Sequence, residues 1–212
     1  MSKIFFGLAL FAGTTIAMAI EEPAYEVISK FDDVEIRQYA PYVVAELLVD
    51  APADKAGSQA FPILAGYIFG NNKGGTKLSM TAPVIQGSVP NPVELTTPPA
   101  SRSAADSHVV QFVLPKGISP ESAPVPIDER VRVRNVAPVR VAVIVYSGTW
   151  FARNYEEHLA KLKAVLAEKG IPWMGEPAYA RYNPPFTPWF MRRNEVWLTL
   201  GSIEGAAQEK IN

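Results

Sequence analysis

The sequence predicts an α+β domain in which duplicated β-α-β-β modules form a twisted antiparallel sheet, or open barrel, flanked by two helices. Three observations predict this fold: a strand pattern that occurs twice, a helical pattern after each copy, and two more strand patterns after each helix. Strands grouped in one sheet with helices against it are typical of α+β folds. The two pseudo-repeats cover about residues 25–115 and 128–200 of a single domain, residues 20–205, followed by a tail, residues 206–212.

The duplicated strand pattern is the clearest internal signal. The segment VEIRQYAPYVVA at residues 34–45 aligns without a gap on VRVRNVAPVRVA at residues 131–142, and six of the twelve positions are identical. Each copy alternates between apolar and polar residues, is interrupted at Ala-Pro and continues as a second apolar strand. Proline within a strand indicates an edge or a bulge. Because each module has only part of a sheet, we predict that neither is stable alone.

A helical pattern follows each copy of the strand pair. The first helix is predicted over residues 53–69 and ends at Gly70. The second begins at Asn154 as N-cap, with Glu157 three residues on, and ends at Gly170. Further strand patterns occur at residues 77–87, 108–114, 178–182 and 195–200.

The first nineteen residues are typical of a secretory signal peptide. Lys3 precedes an apolar run over residues 4–16, and Ala17-Met18-Ala19 forms a small-residue cleavage site. The run would extend roughly 20 Å as a helix, short of the roughly 30 Å hydrocarbon core of a bilayer. We therefore expect cleavage after Ala19 and export to the periplasm or the extracellular space. The chain has no cysteine, so the exported protein would carry no lipid anchor there and no stable membrane anchor.

Composition narrows the range of functions. A formal net charge of -1 argues against nucleic acid as a partner, because phosphate binding requires a positive surface. With no cysteine and two histidines, thiolate metal sites, cysteine nucleophiles and multi-histidine zinc sites are excluded. No serine-hydrolase elbow, phosphate-binding glycine loop or HExxH helix is found either.

We therefore predict that the protein is not an enzyme. Two alternatives stay open: a small-molecule hydrolase or lyase that uses a groove carboxylate, and a protein-interaction module. The sequence does not show which carboxylate would be buried among Glu46, Glu94, Glu176 and Glu195.

Three segments together resemble the SOUL haem-binding protein family. They are YEVISKFDDVEIRQYAPY at residues 25–42, GTKLSMTAPV at residues 75–84 and ARYNPPFTPWFMRRNEVWLTL at residues 180–200. The resemblance covers nearly all of the chain after the predicted signal peptide. It implies a barrel-like sheet with two helices, similar to gyrase-inhibitor-like small-molecule-binding domains. It also implies non-covalent binding of haem or another tetrapyrrole in an apolar groove.

The resemblance places this groove beside the first helix. Its apolar side has counterparts in Phe61 and Ala65, whereas three positions that carry basic residues in studied members fall on Ser58, Gly66 and Thr187. If haem binds here, its propionates must contact other cations or remain in water.

Haem binding also requires apolar contact and usually an axial donor. His158 lies at the border of the apolar stripe of the second helix and is the candidate axial ligand; packing within the helix is its other interpretation. Met80 is the second candidate ligand, or a core residue. Arg37 and Arg134, equivalent in the two repeats, could bind carboxylates of the ligand or form salt bridges with neighbouring acids. An arginine-glutamate pair is expected in Arg192-Arg193-Asn194-Glu195.

With so few donors, we expect weak or no axial ligation. The predicted function is that of a carrier, buffer or scavenger of haem or a related tetrapyrrole.

Overall fold

Nine strands and two helices make up the fold in the computed structural model, which describes residues 20–88 and 107–201. In chain order the elements are β1 (Tyr25–Phe31), β2 (Val34–Tyr39), β3 (Tyr42–Asp50), α1 (Ala53–Ile68), β4 (Val84–Ser88), β5 (Ser107–Val113), β6 (Val131–Val136), β7 (Val139–Tyr146), α2 (Ala152–Glu168), β8 (Trp173–Arg181) and β9 (Asn194–Leu200). The predicted signal peptide, Glu94 and the predicted tail lie outside the described residues.

The strands form one antiparallel sheet in the order β1-β2-β7-β9-β8-β4-β5-β3-β6. Apart from β1, this order is symmetric about the contact between β8 and β4, as expected for two copies of one module. The first strand of each module is exchanged: β2 pairs with β7 of the second module, and β6 pairs with β3 of the first. The predicted α+β fold of duplicated modules is thus confirmed.

Both helices pack on the same face of the sheet. Under α1, Ala60 and Leu64 belong to a buried cluster with residues of β3 and β5. Under α2, Leu162 and Leu166 pack against β7 and β9. In each helix the buried residues recur at spacings of three, four or seven, so one stripe faces the sheet.

The opposite face of the sheet has a third buried cluster, although no described helix covers it. Tyr39, Tyr182 and Trp197 in this cluster are each less than 10% exposed. The curl of the sheet buries part of this face, and the segment before β1 contributes, since the Glu21 carbonyl accepts a hydrogen bond from the Ala82 amide. The sheet is therefore a half-barrel around an aromatic core.

The predicted N-cap of the second helix is wrong by three residues, because the N-cap position is Phe151. α2 begins at Ala152, and Asn154 does not cap it. Instead, the Asn154 side-chain amide donates to the backbone carbonyl of Thr149 at 3.0 Å, so it ties the helix to the preceding loop. The predicted end holds: Gly170 has φ +64°, a left-handed conformation that glycine adopts without strain.

The predicted strand at residues 77–87 is wrong in its first half. β4 begins only at Val84, so Met80 does not lie in a strand. The Leu78 amide donates to the Ile68 carbonyl at the end of α1, and β5 ends at Val113, leaving no strand edge for this segment to pair with. The segment runs beside α1 instead.

Strand exchange leads to a prediction about the isolated halves. We expect residues 20–115 and residues 116–201, expressed separately, to lack a cooperative urea transition, because three strands in each fragment would lose a pairing partner. Mixing the two fragments should restore β-sheet circular dichroism and one unfolding transition. A cooperative transition from either fragment alone would contradict the prediction.

Candidate functional site

A row of five residues crosses the sheet beneath the two helices. In strand order it consists of Phe112 on β5, Val84 on β4, Arg181 on β8, Asn194 on β9 and Tyr146 on β7, each paired with the next. We call it the cross-sheet row. Neighbouring strands are about 4.8 Å apart, so the row spans roughly 19 Å. The two modules thus contribute to one continuous surface.

Aromatic rings contact the row from both helices. From α1, the Phe61 ring packs edge-on against Phe112, with ring centroids 5.3 Å apart. From α2, the His158 ring stacks on Tyr146, with centroids 4.2 Å apart. The space between α1, α2 and the middle of the row is the candidate groove.

The middle of the groove holds Trp150 and Arg181. The Trp150 indole N–H donates to the Asn194 side-chain oxygen at 2.8 Å, which fixes the ring over the row. The Arg181 guanidinium carbon lies 5.1 Å from the centroid of that ring. On its other side Arg181 approaches α1, where a Cβ on Gly57 would lie 3.0 Å from Nη1. The absence of a side chain at Gly57 therefore makes room for the guanidinium.

Arg181 has no anionic partner within the described parts of the chain. Its guanidinium forms neither an ion pair nor a hydrogen bond with residues 20–88 or 107–201. Burial lowers the pKa of Arg181, an effect opposed by Tyr146 and Tyr179. Burial also raises the pKa of Tyr146 to about 12, so this phenol is neutral at pH 7. The groove therefore holds an uncompensated positive charge.

Arg192 also packs against Trp150. Its guanidinium carbon lies 4.3 Å from the centroid of the Trp150 ring. It donates to the backbone carbonyls of Thr187 at 2.8 Å and Pro185 at 2.7 Å, which are neutral acceptors. Thr187 is one of the positions at which the resemblance expects a basic residue. Arg192 thus brings a cation to Thr187, which carries no charge itself.

Exposed aromatic residues surround this end of the groove. Their exposed fractions are 74% for Phe151, 87% for Phe186, 59% for Trp189 and 60% for Phe190. Phe151 and Trp189 line an open depression of about 310 Å³, together with the loop before α2. Contiguous exposed apolar surface of this kind marks a ligand or partner site.

Three of the predicted site residues lie together beside α1. Ala65 is buried in the cluster beneath α1, and Met80 packs against that cluster. Phe61 joins them through Phe112 and remains 40% exposed. These residues form the apolar end of the groove.

His158 lies at the other end, across the row. Its Nδ1 is 2.6 Å from the backbone carbonyl oxygen of Asn154. A carbonyl oxygen only accepts, so Nδ1 carries the hydrogen and Nε2 keeps the lone pair of the neutral ring. Nε2 is therefore the atom with which this histidine could bind iron.

Arg37 and Arg134 lie on the opposite face of the sheet, away from the groove. Arg37 is 2% exposed and donates to both Glu195 and Glu35. Arg134, its equivalent in the second repeat, donates to Glu46 at 2.9 Å. Their place in the structure matches the salt-bridge interpretation of the pair.

Glu195 is the buried carboxylate that the sequence could not identify. It is 0% exposed and accepts hydrogen bonds from Arg37, Arg193, the Tyr182 hydroxyl and the Trp197 indole. The expected arginine-glutamate pair is confirmed, with Arg193 as the arginine at 2.7 Å. Because its oxygens already accept from four side chains, Glu195 has little capacity left to take a proton from a substrate.

Sequence reasoning missed Arg181 and Trp150. A signal for Arg181 was present: period-two alternation in β8 places it on the face of Tyr179, towards the helices, where an arginine is unusual. Trp150 lies in the loop between β7 and α2, and no periodicity indicates where a loop side chain points.

Comparison with known proteins agrees with this architecture. The family model described as SOUL heme-binding protein matches residues 20–199. Heme-binding protein 1 of Mus musculus is 30% identical over 152 residues, covering 71% of this chain and 75% of its own length. Heme-binding protein 2 of Mus musculus is 30% identical over 186 residues, covering 85% and 86%. The chain therefore belongs to the SOUL haem-binding protein family, and this membership supports haem or tetrapyrrole binding in general.

Solved structures show the same fold at low identity. A crystal structure of an uncharacterized conserved protein from Listeria innocua superposes with a TM-score of 0.58 at 11% identity, covering 80% of this chain and 92% of that one. At this identity the likeness is one of fold alone.

Two further observations concern the described residues only. None of the helices formed by the described residues has both the length and the apolar character needed to cross a bilayer. No three of their histidine, aspartate or glutamate side chains converge into a metal site.

The Glu195 network predicts a stability difference between two glutamates. Glu195→Ala removes the fully buried partner of Arg37 and leaves it only Glu35, which is partly exposed. The loss should cost about 3–5 kcal/mol of unfolding free energy. Glu46→Ala, at the equivalent but more exposed pair, should cost less than about 1 kcal/mol. Urea unfolding monitored by circular dichroism measures both. Equal losses for the two variants would contradict the role of Glu195 as the buried centre of the network.

Proposed function

We propose that this protein binds haem or a related tetrapyrrole non-covalently in the groove between α1 and α2. The observation that carries the proposal is the combination of exposed aromatic rings with an uncompensated guanidinium on one surface. A flat apolar molecule with carboxylate groups complements both features. Membership of the SOUL family supports the same ligand class.

The residues of the groove fit the chemistry of haem. Phe61 and the rings around Trp189 offer faces and edges for a planar macrocycle. Arg181 offers a charge for a propionate. His158 offers Nε2 to the iron, which supplies an open coordination position when haem is bound.

The strength of binding can be bounded from the exposed rings. Covering three such rings would contribute on the order of 5–9 kcal/mol, and association itself costs several kcal/mol. Micromolar affinity corresponds to about 8 kcal/mol. After that cost, contact with three rings falls short of this value, so the arginine charge and further apolar surface must contribute to the reversible binding that a carrier, buffer or scavenger requires.

The location of this activity is also part of the proposal. The first nineteen residues support export and cleavage after Ala19. In the periplasm or outside the cell, the protein would take up free haem and release it again. Mass spectrometry of the protein recovered from the exporting cell tests the cleavage, and an intact Met1–Ala19 segment would contradict it.

The aromatic surface also bears on the interaction-module alternative. A patch far from any depression would favour a protein partner. Here Phe151 and Trp189 line the depression itself, and Trp150 next to Phe151 lies over the cross-sheet row. This continuity favours a small ligand.

Haem titration of the protein lacking residues 1–19 is the direct test. We expect a saturable change of the Soret band at micromolar concentration. Phe186→Ala should weaken binding about tenfold, because it removes an exposed ring from the groove rim. Met174→Ala, an exposed apolar residue at the other end of β8, is the matched control and should leave the affinity unchanged. A titration without saturation contradicts the proposal.

Replacement of His158 tests the axial ligand. His158→Ala should shift the Soret band of bound haem and change the affinity less than about tenfold, since apolar contact does most of the holding. His108→Ala is the control, because His108 lies on β5 and its ring nitrogen contacts the Ala51 carbonyl. An unchanged spectrum for His158→Ala would remove this residue from the site.

A further inference from the structure

Two guanidinium groups share one indole ring without an acidic partner. Arg181 and Arg192 lie 5.1 Å and 4.3 Å from the centroid of the Trp150 ring. Other arginines on the surface, such as Arg153 and Arg130, pair with a nearby carboxylate. Neither arginine on Trp150 has such a pair within residues 20–88 and 107–201.

The arrangement is unfavourable for the protein by itself. Arg181 is partly buried, and burial of a cation without a counter-ion costs free energy. A second guanidinium at the same ring adds like-charge repulsion. An anion held between the two groups would offset both effects, and a dianion would neutralise them.

The geometry also limits the size of such a dianion. Both guanidinium carbons contact the same ring, so they are no farther apart than the two centroid distances together. One ligand with two carboxylates on neighbouring side chains could reach both. The hydrogen bond from the Trp150 indole N–H to Asn194 holds the ring in this orientation.

The apolar surroundings define the rest of the ligand. Phe61 lies on the α1 side of Arg181, since Phe112 beneath it is two strands away along the cross-sheet row. Phe151 and Trp189 lie on the other side. The carboxylates of the ligand would therefore lie at the centre of the groove. The planar apolar part of the ligand would cover the aromatic rings.

We propose that Arg181 and Arg192 form a dicarboxylate-recognition site around Trp150, specific for a planar tetrapyrrole with two adjacent carboxylate side chains. The proposal rests on the proposed function and names the part of the ligand that gives specificity. Each guanidinium donates charge-assisted hydrogen bonds to one carboxylate. The groove therefore distinguishes a free acid from a neutral ester of the same macrocycle.

Gly57 is part of this site, as a position where a side chain would interfere. A Cβ there would lie 2.9 Å from Gln86 Oε1 and 3.0 Å from Arg181 Nη1. Gly57→Ala keeps both charges but displaces one of them, and so tests position rather than charge.

The experiment compares two forms of one ligand. The protein lacking residues 1–19 is titrated with haem and with haem dimethyl ester, in the same buffer and cosolvent, by absorption at the Soret band. We expect haem to bind at least tenfold more tightly than the ester. Arg181→Gln and Arg192→Gln should each weaken haem binding about tenfold or more and leave ester binding unchanged, and the double variant should bind both forms equally.

Arg130→Gln is the matched control, because Arg130 is an exposed arginine before β6 that pairs with Asp128 and does not line the groove. It should leave both affinities unchanged. Gly57→Ala should weaken haem binding but not ester binding. Circular dichroism of each variant checks that the fold is retained, and the ester comparison on the unsubstituted protein requires no variant.

The possible failures are distinguishable. If the unsubstituted protein binds haem and the ester equally, the dicarboxylate site is overturned and the proposed function stands. If Arg130→Gln weakens haem binding as much as Arg181→Gln, the effect is general electrostatics and the site is overturned. If neither form binds saturably, both proposals fall.

Discussion

The exchange of first strands between the two modules is the constraint on which the rest of this structure depends. Because β2 completes the second module and β6 completes the first, the sheet exists only when both halves fold together. The exchange brings β4 and β8 side by side at the centre. The cross-sheet row follows directly, since Phe112 and Val84 of the first module and Arg181, Asn194 and Tyr146 of the second become neighbours only where these strands meet. A groove at this place is thus a product of duplication.

The two faces of the sheet have diverged in different ways. On the face without helices, equivalent arginines have different surroundings: Arg37 joins a buried network around Glu195, while Arg134 keeps one partly exposed partner. The charged groups on that face form ion pairs and hydrogen bonds with one another. On the helix face, Arg181 lacks such a partner. The contrast indicates that the charge of the first face serves the fold, and that of the second is available to a ligand.

Family membership and the geometry of the groove both support the proposed mode of ligand binding. The aromatic rings offer apolar contact, the arginines on Trp150 offer charge, and His158 offers a nitrogen without dominating the affinity. The basic positions that the resemblance implies are absent at Ser58 and Thr187, yet a guanidinium approaches each place from another element: Arg181 reaches Gly57, and Arg192 reaches Thr187. In this chain, positive charges therefore lie near those positions in space, although residues elsewhere in the sequence carry them.

By itself, the sequence determined the fold class, the duplication and the extents of most elements, because periodicity and turn residues act locally. It also predicted Phe61 and Ala65 as site residues; both lie on α1, where Phe61 is 40% exposed and Ala65 is buried. It could not place Arg181 against Trp150 or separate Arg37 from the groove, because both depend on which strands become neighbours. Asn154 shows the same limit. The sequence pattern predicts that it caps α2, but its side-chain amide donates a hydrogen bond to the preceding loop instead. Pairing across long sequence separations decided the site, since side chains from five strands and both helices meet only after the sheet has closed.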